Sequence, residues 1–219
     1  MNPKLIERLK REYVQRRPTI VFATENDGYL GDGSFSITFA ALDGRVPCVV
    51  KFSKEPWADV GGLQRERRAL LDLMLQCNGH PHVVALHYYD DDFDGHLATQ
   101  WERGEMSLDQ RLQACRANGN MGIPRGELLR YVEQAAKGLD FVNGKGIVHR
   151  DVKPDNLLLF QGQVKLIDFG FARLAEINST TNSVLGTPVF APPEASDQRL
   201  EPSIDIYCLA GTYIRLRTG

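Results

Sequence analysis

The chain of 219 residues carries, from position 149 to position 170, the stretch HRDVKPDNLLLFQGQVKLIDFG. Two short apolar runs, 157–160 and 164–167, flank a glycine-containing turn, and this pattern predicts a small β-hairpin. A hairpin brings its two ends together at one rim. The polar group before the first run should therefore lie beside the acid that follows the second run, which predicts a site for charged chemistry.

Four side chains at this rim have complementary chemistry. Asp151 can accept a proton from a hydroxyl, and Lys153 can neutralise a phosphoryl group during its transfer. Asn156 and Asp168 can supply oxygen ligands to Mg²⁺, which favours hard oxygen donors in octahedral geometry. These residue types are the ones that a phosphoryl-transfer site needs.

Segments 149–156 and 168–170 resemble, position by position, the catalytic loop and the magnesium-binding loop of the protein kinases. An ordinary hairpin with incidental charges is a poor alternative, because both motifs occur together at hairpin spacing. The resemblance implies an α+β, bilobal kinase-like fold with a small β-rich N-lobe that contains one key helix and a larger, mainly helical C-lobe. It also implies ATP and Mg²⁺ as cofactors and a Ser or Thr hydroxyl of a protein as the acceptor.

Composition excludes several other classes of protein. A net charge of -2 provides no basic excess for general nucleic-acid binding. No apolar run is long enough to span a membrane, and the N-terminus lacks the apolar core of a signal peptide. The four cysteines, at positions 48, 77, 115 and 208, form no CxxC pair, so neither a disulfide framework nor a zinc site is indicated. We expect free thiols and a cytoplasmic location.

The first 18 residues predict a basic amphipathic helix as a segment of its own. Leu5, Leu9 and Tyr13 recur at a spacing of four among six basic side chains, and Pro18 ends the pattern. One interpretation is a helix packed on the lobe that follows. The other is a docking or membrane-surface role.

Residues 19–103 are expected to form the N-lobe, beginning with strand patterns over 19–52. Gly31 and Gly33 lie in a turn between strands, where glycine lets backbone N–H groups approach phosphate oxygens. Lys51 follows at the distance where the family carries its phosphate-anchoring lysine.

Helical periodicity over 63–77 predicts the key helix of this lobe, with Glu66 on its polar side. The family pairs a glutamate on this helix with the strand lysine, so Glu66 is the expected partner of Lys51. The alternative is a solvated glutamate whose charge is met by neighbouring arginines. The acidic run 90–95 lacks a calcium-loop pattern and predicts an exposed hairpin turn.

The remainder of the ATP site follows from the resemblance. Ser36 and Thr38 stand where the family usually has glycine and valine, and these small side chains should still admit ATP. Thr99 is expected to be the gatekeeper, with 100–102 bordering adenine through backbone groups. The full ATP-binding set implied is Gly31, Gly33, Ser36, Thr38, Val49, Lys51, Thr99, Gln100, Trp101, Glu102 and Leu158.

Residues 104–219 are expected to form the C-lobe. Ser107 has the character of a helix N-cap, and the apolar periodicity of 127–143 predicts a longer helix. The polar segment after position 170 resembles a kinase activation segment. A phosphate there could order the loop by pairing with Arg150. The phosphosite candidates are Thr180, Thr181 and Ser183.

The last segment, 205–219, resembles the central helix of the kinase C-lobe, on which Asp205 is expected to brace the catalytic loop. Family members continue with further helices. The sequence therefore predicts a C-lobe that lacks its last helices, with an exposed apolar helix that either reflects truncation or is covered by a partner.

Three functional hypotheses remain. The leading one is an active serine/threonine protein kinase with possible autophosphorylation, because the catalytic set is complete: Lys51, Glu66, Asp151, Lys153, Asn156 and Asp168. The second is a non-catalytic, kinase-like nucleotide-binding or regulatory module, or an inactive fragment, which the altered glycine loop and the C-terminus suggest. A small-molecule kinase is disfavoured by the activation-segment pattern.

Overall fold

A computed structural model of the protein describes residues 2–33, 36–54, 63–174, 189–190 and 202–219. The chain forms two compact units. One unit comprises Met1–Gln76 and Ala85–Arg103, and the other comprises Cys77–Val84 and Gly104–Gly219. The first unit is built around a sheet and the second is mainly helical, so the predicted α+β class is confirmed.

The sheet of the first unit contains six described strands, all paired antiparallel in the order β1-β3-β4-β6-β5, with β2 also paired to β3. Side chains alternate between its faces, as the period of a strand requires. Cys48, Val50 and Phe52 of β4 are fully buried on one face. The strands are β1 (Ile20–Phe22), β2 (Tyr29–Asp32), β3 (Ser36–Asp43), β4 (Val46–Ser53), β5 (Leu86–Phe93) and β6 (His96–Glu102).

Helix α1 (Pro3–Arg16) covers this buried face of the sheet. It begins at Asn2, whose side chain accepts a hydrogen bond from the N–H of Lys4, and proline occupies its first position. Leu9 and Tyr13 are fully buried in one cluster with side chains of β3 and β4. Of the two interpretations of the N-terminal segment, the structure therefore shows the helix packed on the sheet.

The acidic run 90–95 differs from the expected exposed turn. Strand β5 continues through Phe93, and only Asp94 and Gly95, both with positive φ, form the turn. Two of the acids bind α1: Arg16 lies 2.7 Å from Asp90, and Arg8 lies 2.6 Å from Asp94. These two acids are therefore partners of the basic helix α1 and not only solvated side chains of a turn.

Helix α2 (Leu63–Gln76) belongs to the opposite face of the same sheet. The Tyr89 hydroxyl of β5 donates a 2.6 Å hydrogen bond to Asp72 of α2, and Arg68 of α2 bonds with Asp91. Tyr89 is the register partner of Thr99 on β6, so α2 lies over the face that carries Thr99.

The second unit contains three described α-helices: α3 (Leu108–Ala117), α4 (Arg125–Asn143) and α5 (Ser203–Thr218). Ser107 and Gln110 form a capping box at the start of α3, as the sequence predicts. Helix α5 packs on α4, and Ile206, Tyr207 and Ile214 remain exposed on it. The expected exposure of apolar side chains on this helix is confirmed.

Short strands complete the second unit. The predicted hairpin consists of β9 and β10, with Leu157 opposite Leu166 and positive φ at Gln161 and Gly162 in the turn. Strand β10 packs against α4, where the Gln134 side chain accepts a hydrogen bond from the N–H of Val164. The strands are β7 (Met106–Ser107), β8 (Ile147–Val148), β9 (Leu157–Phe160), β10 (Gln163–Leu166) and β11 (Arg173–Leu174).

Among the described residues, none of the helices combines the length and the apolar character that a bilayer crossing requires.

Replacing Leu9 with alanine should destabilise the first unit by about 2–5 kcal/mol, because it removes a fully buried side chain from the interface between α1 and the sheet. Denaturant unfolding followed by circular dichroism measures this change. Arg11→Gln, at an exposed position on the same helix, is the matched control and should stay within about 0.5 kcal/mol of the parent. Equal stability of Leu9→Ala and the parent would contradict the packing of α1.

Candidate active site

A buried carboxylate on α5 holds the start of the predicted catalytic loop. The side chain of Asp205 is fully buried, and its two oxygens accept hydrogen bonds from the backbone N–H groups of His149 (2.9 Å) and Arg150 (2.8 Å). The Asn143 amide donates a third bond of 3.0 Å to the same carboxylate. The expectation that Asp205 braces this loop is confirmed.

This bracing stabilises an unusual backbone conformation. Arg150 has a φ of 66°, in the left-handed region that side chains other than glycine rarely adopt. Such a conformation costs free energy and persists where surrounding contacts fix it. The hydrogen bonds that the consecutive N–H groups of His149 and Arg150 donate to Asp205 supply that constraint directly before Asp151.

The His149 imidazole joins the loop to the end of the hairpin. Its Nε2 lies 2.9 Å from the carbonyl oxygen of Ile167, and its Nδ1 accepts a 3.3 Å hydrogen bond from the N–H of Asp151. Because a carbonyl can only accept, Nε2 must carry the proton. His149 therefore ties Asp151 to the residue that precedes Asp168.

The Asp151 carboxylate lies at the centre of the predicted catalytic group. The Nδ2 atom of Asn156 donates to both the backbone oxygen and the Oδ2 of Asp151, each at 2.8 Å. The ammonium of Lys153 lies 2.9 Å from the same Oδ2. Asp151 is 3% exposed, so this carboxylate has a fixed position in a shielded site. The structure thus brings three of the predicted residues into contact.

Asp168 follows the hairpin at the expected rim. The N–H of Ile167 donates a 3.0 Å bond to the carbonyl of Asn156, which brings the two ends of the hairpin together. Asp168 itself has a left-handed backbone, with φ 63° and ψ 71°. The next side chain, Phe169, is buried with its ring centroid 4.7 Å from that of His149, so the segment packs against the start of the catalytic loop.

In the first unit, the sheet register places five predicted residues on one face. Lys51 of β4 lies opposite Thr38 of β3 on one side and opposite Thr99 of β6 on the other. Val49 and Trp101 form the next pair along this face. The Trp101 indole N–H donates a 2.8 Å hydrogen bond to the Thr99 hydroxyl.

Glu66 lies in the first turn of α2 and is only 5% exposed. This burial contradicts the solvated alternative for Glu66. Because α2 lies over the face that carries Thr99 and its register partner Lys51, the two expected partners belong to the same side of the sheet. The Lys51–Glu66 ion pair itself stays a prediction.

The remaining predicted residues belong to the glycine-containing turn, to β9 and to the activation segment. Gly31 pairs in register with Thr38, and the turn after Gly33 lies outside the described residues. Leu158 belongs to the second unit, on β9, where it pairs with Lys165. The phosphosite candidates Thr180, Thr181 and Ser183 also lie outside the described residues.

Sequence reasoning missed two residues that shape the loop, Asn143 and the His149 side chain. Asn143 donates to Asp205 and to the carbonyl of Ile147, so it secures both the carboxylate and the strand before the loop. Its only sequence signal was an asparagine at a helix end, where this residue type commonly bonds the backbone.

The cysteines take no part in this site. All four are buried free thiols. Burial raises the pKa of Cys48 to about 11 and that of Cys208 to about 12, so neither is a thiolate near neutral pH. Among the described residues, no three His, Cys, Asp or Glu side chains are grouped closely enough to hold a metal ion by themselves.

Residues 24–219 match the family model described as the protein kinase domain. The chain belongs to the protein kinase family. It is 32% identical over 214 residues to serine/threonine-protein kinase B of Synechocystis, covering 88% of this chain and 36% of that protein. It is 29% identical over 188 residues to serine/threonine-protein kinase chk1 of Schizosaccharomyces pombe, covering 81% of this chain and 37% of that protein.

A plant relative agrees with these two. The kinase chain is 32% identical over 173 residues to a putative CBL-interacting protein kinase 27 of rice, covering 75% of this chain and 41% of the relative. The first two of these relatives carry the name serine/threonine-protein kinase. The chain spans well under half the length of each of these relatives.

Replacing Asp205 with asparagine should destabilise the second unit by about 3 kcal/mol or more. In the parent, backbone N–H groups donate to both oxygens of the carboxylate, but the variant amide would turn its own N–H group toward one of these donors. The remaining bond would also be weaker, because hydrogen bonds to charged groups are stronger than those to neutral ones. Thermal unfolding measures the loss. Asp155→Asn changes an exposed carboxyl in the same loop and should leave the unfolding temperature unchanged. Equal unfolding temperatures for Asp205→Asn and the parent would show that the brace is energetically unimportant.

Proposed function

We propose that the chain is a serine/threonine protein kinase that transfers the γ-phosphoryl group of ATP to a protein hydroxyl. The observation that carries the proposal is the arrangement at Asp151, whose carboxylate is held by Asn156 and Lys153 on a loop fixed by Asp205. A carboxylate, a cation and an amide oxygen within one short loop match the needs of phosphoryl transfer.

Asp151 orients the acceptor hydroxyl and takes its proton as the oxygen attacks phosphorus. Its hydrogen bond from Asn156 fixes the direction of the carboxylate, so less reorientation is needed during the reaction. Lys153 places a positive charge beside the same carboxylate, where it can offset negative charge on the phosphoryl group.

Asn156 and Asp168 fit a role as magnesium ligands. The Asn156 amide nitrogen is turned toward Asp151, which leaves the amide oxygen as the atom able to bind a cation. The carboxylate of Asp168 adds a second hard oxygen donor. When bound, Mg²⁺ would neutralise charge on the phosphate oxygens. Two protein ligands are a usual number for magnesium, which keeps water and phosphate oxygens as its other ligands.

In the first unit, Lys51 is proposed to anchor the α and β phosphates with Glu66 as its partner. The position of Lys51 on a central strand, between Thr38 and Thr99, gives its backbone a rigid support. The buried position of Glu66 supports the pairing, because a buried carboxylate is costly without a charged or hydrogen-bonding partner. Thr99 and the segment 100–102 are proposed to border adenine, with Leu158 also in the ATP-binding set.

We also propose the finer properties that the family suggests. The acceptor is a Ser or Thr hydroxyl of a protein, and autophosphorylation would modify Thr180, Thr181 or Ser183. A cytoplasmic location is supported by the four buried thiols. The exposed apolar side chains of α5 are the proposed contact for a partner surface. A purely regulatory module is less well supported, because Asn156 and Lys153 both contact the Asp151 carboxylate, an arrangement that suits phosphoryl transfer.

Replacing Asp151 with asparagine should lower phosphoryl transfer by about 10²- to 10⁴-fold, because the amide cannot take the proton of the acceptor hydroxyl. Phosphate incorporation from ATP and Mg²⁺ is measured by peptide mass spectrometry, both into the chain and into a generic protein substrate. Asp155→Asn, in the same loop but exposed, should retain the parent's rate. Equal incorporation by the parent and Asp151→Asn would refute the proposed role of Asp151.

Replacing Asp168 with asparagine should reduce the rate on the order of a thousandfold or more, because it removes charge stabilisation at the transferring group. The residual rate should need a higher Mg²⁺ concentration than the parent's rate, since one anionic ligand is lost. Initial rates over a magnesium titration measure both effects. Asp140→Asn, exposed on α4, is the control. A near-normal rate and magnesium response in Asp168→Asn would rule out this site for the metal.

A further inference from the structure

The hydroxyl of Tyr13 begins a chain of hydrogen bonds that runs from α1 through strand β6 to Asp43 on β3, with a buried first bond and a part-buried second one. It donates a 3.2 Å bond to the Oε1 of Gln100, and the Nε2 of Gln100 donates a 2.9 Å bond to Asp43. Arg17, at the end of α1, lies 3.0 Å from the same Asp43 oxygen. Tyr13 and Gln100 are both fully buried.

The direction of each bond follows from the chemistry of the groups. The Asp43 carboxylate can only accept, so the amide nitrogen of Gln100 must face it and the amide oxygen must face Tyr13. Hydrogen bonds from Thr19 and Gln100 hold the pKa of the Asp43 carboxyl below its usual range. Burial raises the pKa of Tyr13, so its hydroxyl remains a donor.

Packing alone does not require these polar groups. The Tyr13 ring lies edge-on to those of Phe52 and Phe93, each at 5.6 Å, within an otherwise apolar cluster. A phenylalanine would keep these ring contacts, and an apolar side chain at position 100 would need no partner. The effect of the Tyr13 hydroxyl is therefore to orient the side chain of Gln100 on β6.

Gln100 lies between Thr99 and Trp101, whose side chains are on the other face of the sheet. Because strand side chains alternate, Thr99 and Trp101 are on the opposite face from Gln100, opposite Lys51 and Val49 in register. A fixed Gln100 side chain holds the backbone of β6 in position at Thr99 and Trp101. These are the residues that border the nucleotide in the proposed function.

We infer that Tyr13 is a positioning residue for nucleotide binding, which acts through the Gln100 side chain on the β6 segment that carries Thr99 and Trp101. The inference rests on the proposed kinase function and extends it to α1. In addition to packing on the sheet, helix α1 would then influence the nucleotide-binding face, because the Tyr13 hydroxyl fixes the segment of β6 that carries Thr99 and Trp101.

The test compares Tyr13→Phe with the parent by calorimetric titration of Mg·ATP and by steady-state kinetics. Loss of the hydroxyl should raise the Kd and KM for ATP roughly two- to thirtyfold with little change in kcat, the range expected for a residue that acts through a network. Tyr13→Phe should have no further effect in a Gln100→Leu background, because residues in one network are not additive.

A second pair of measurements separates positioning from general loosening. Leu9→Ala weakens the same interface without touching Gln100, so it should lower Tm but leave the Kd for ATP unchanged when measured well below Tm. The chain has two tryptophans, Trp57 and Trp101. In a Trp57→Phe background, Tyr13→Phe should shift the emission of Trp101 before nucleotide is added, whereas Leu9→Ala should not.

An unchanged Kd in Tyr13→Phe, with the parent still binding ATP, would overturn the inference and leave the proposed function standing. A rise in Kd of equal size in Leu9→Ala would also overturn it, because loosened packing would then explain both variants. If the parent itself fails to bind Mg·ATP, the proposed function and the inference fall together.

Discussion

The second unit depends on one fully buried carboxylate. Asp205 is distant in sequence from the loop that it holds, yet it accepts from two consecutive backbone N–H groups at the point where Arg150 adopts a left-handed conformation. A loop that must present a charged side chain cannot rely on apolar packing for its shape. A charge-assisted set of hydrogen bonds supplies both the strength and the direction that such a conformation needs.

The sheet of the first unit has two faces with different side chains. One face is filled by α1 with aromatic and aliphatic side chains, and the other carries Lys51, Thr38 and Thr99 and lies under α2. Alternation along a strand makes this division automatic, because neighbouring residues point in opposite directions. The buried core and the proposed ligand-binding residues therefore use the same strands but different side chains.

Local patterns predicted a large part of this structure. The hairpin after residue 156, the cap at Ser107 and the helix over 3–16 follow from apolar periodicity, turn residues and capping chemistry, all of which act over a few positions. The contacts of Asp151 with Asn156 and Lys153 were also predictable in kind, because all three lie within one short loop. The role of Asp205 required the family resemblance, since no local rule links it to His149.

What could not be predicted depends on pairing between distant segments. The acidic run 90–95 looks like a solvated turn by composition, and only the packing of α1 shows that Asp90 and Asp94 meet arginines. Gln100 gives no sequence signal for a buried amide between Tyr13 and Asp43. A polar side chain in a core is tolerated only when all of its hydrogen-bond partners are present. The role of Gln100 can therefore be recognised only once the folded structure shows those partners. An alternative packing that left the Tyr13 hydroxyl or the Gln100 amide unmatched would cost free energy even if the apolar side chains were equally well buried, because a buried donor or acceptor without a partner loses its hydrogen bonds to water.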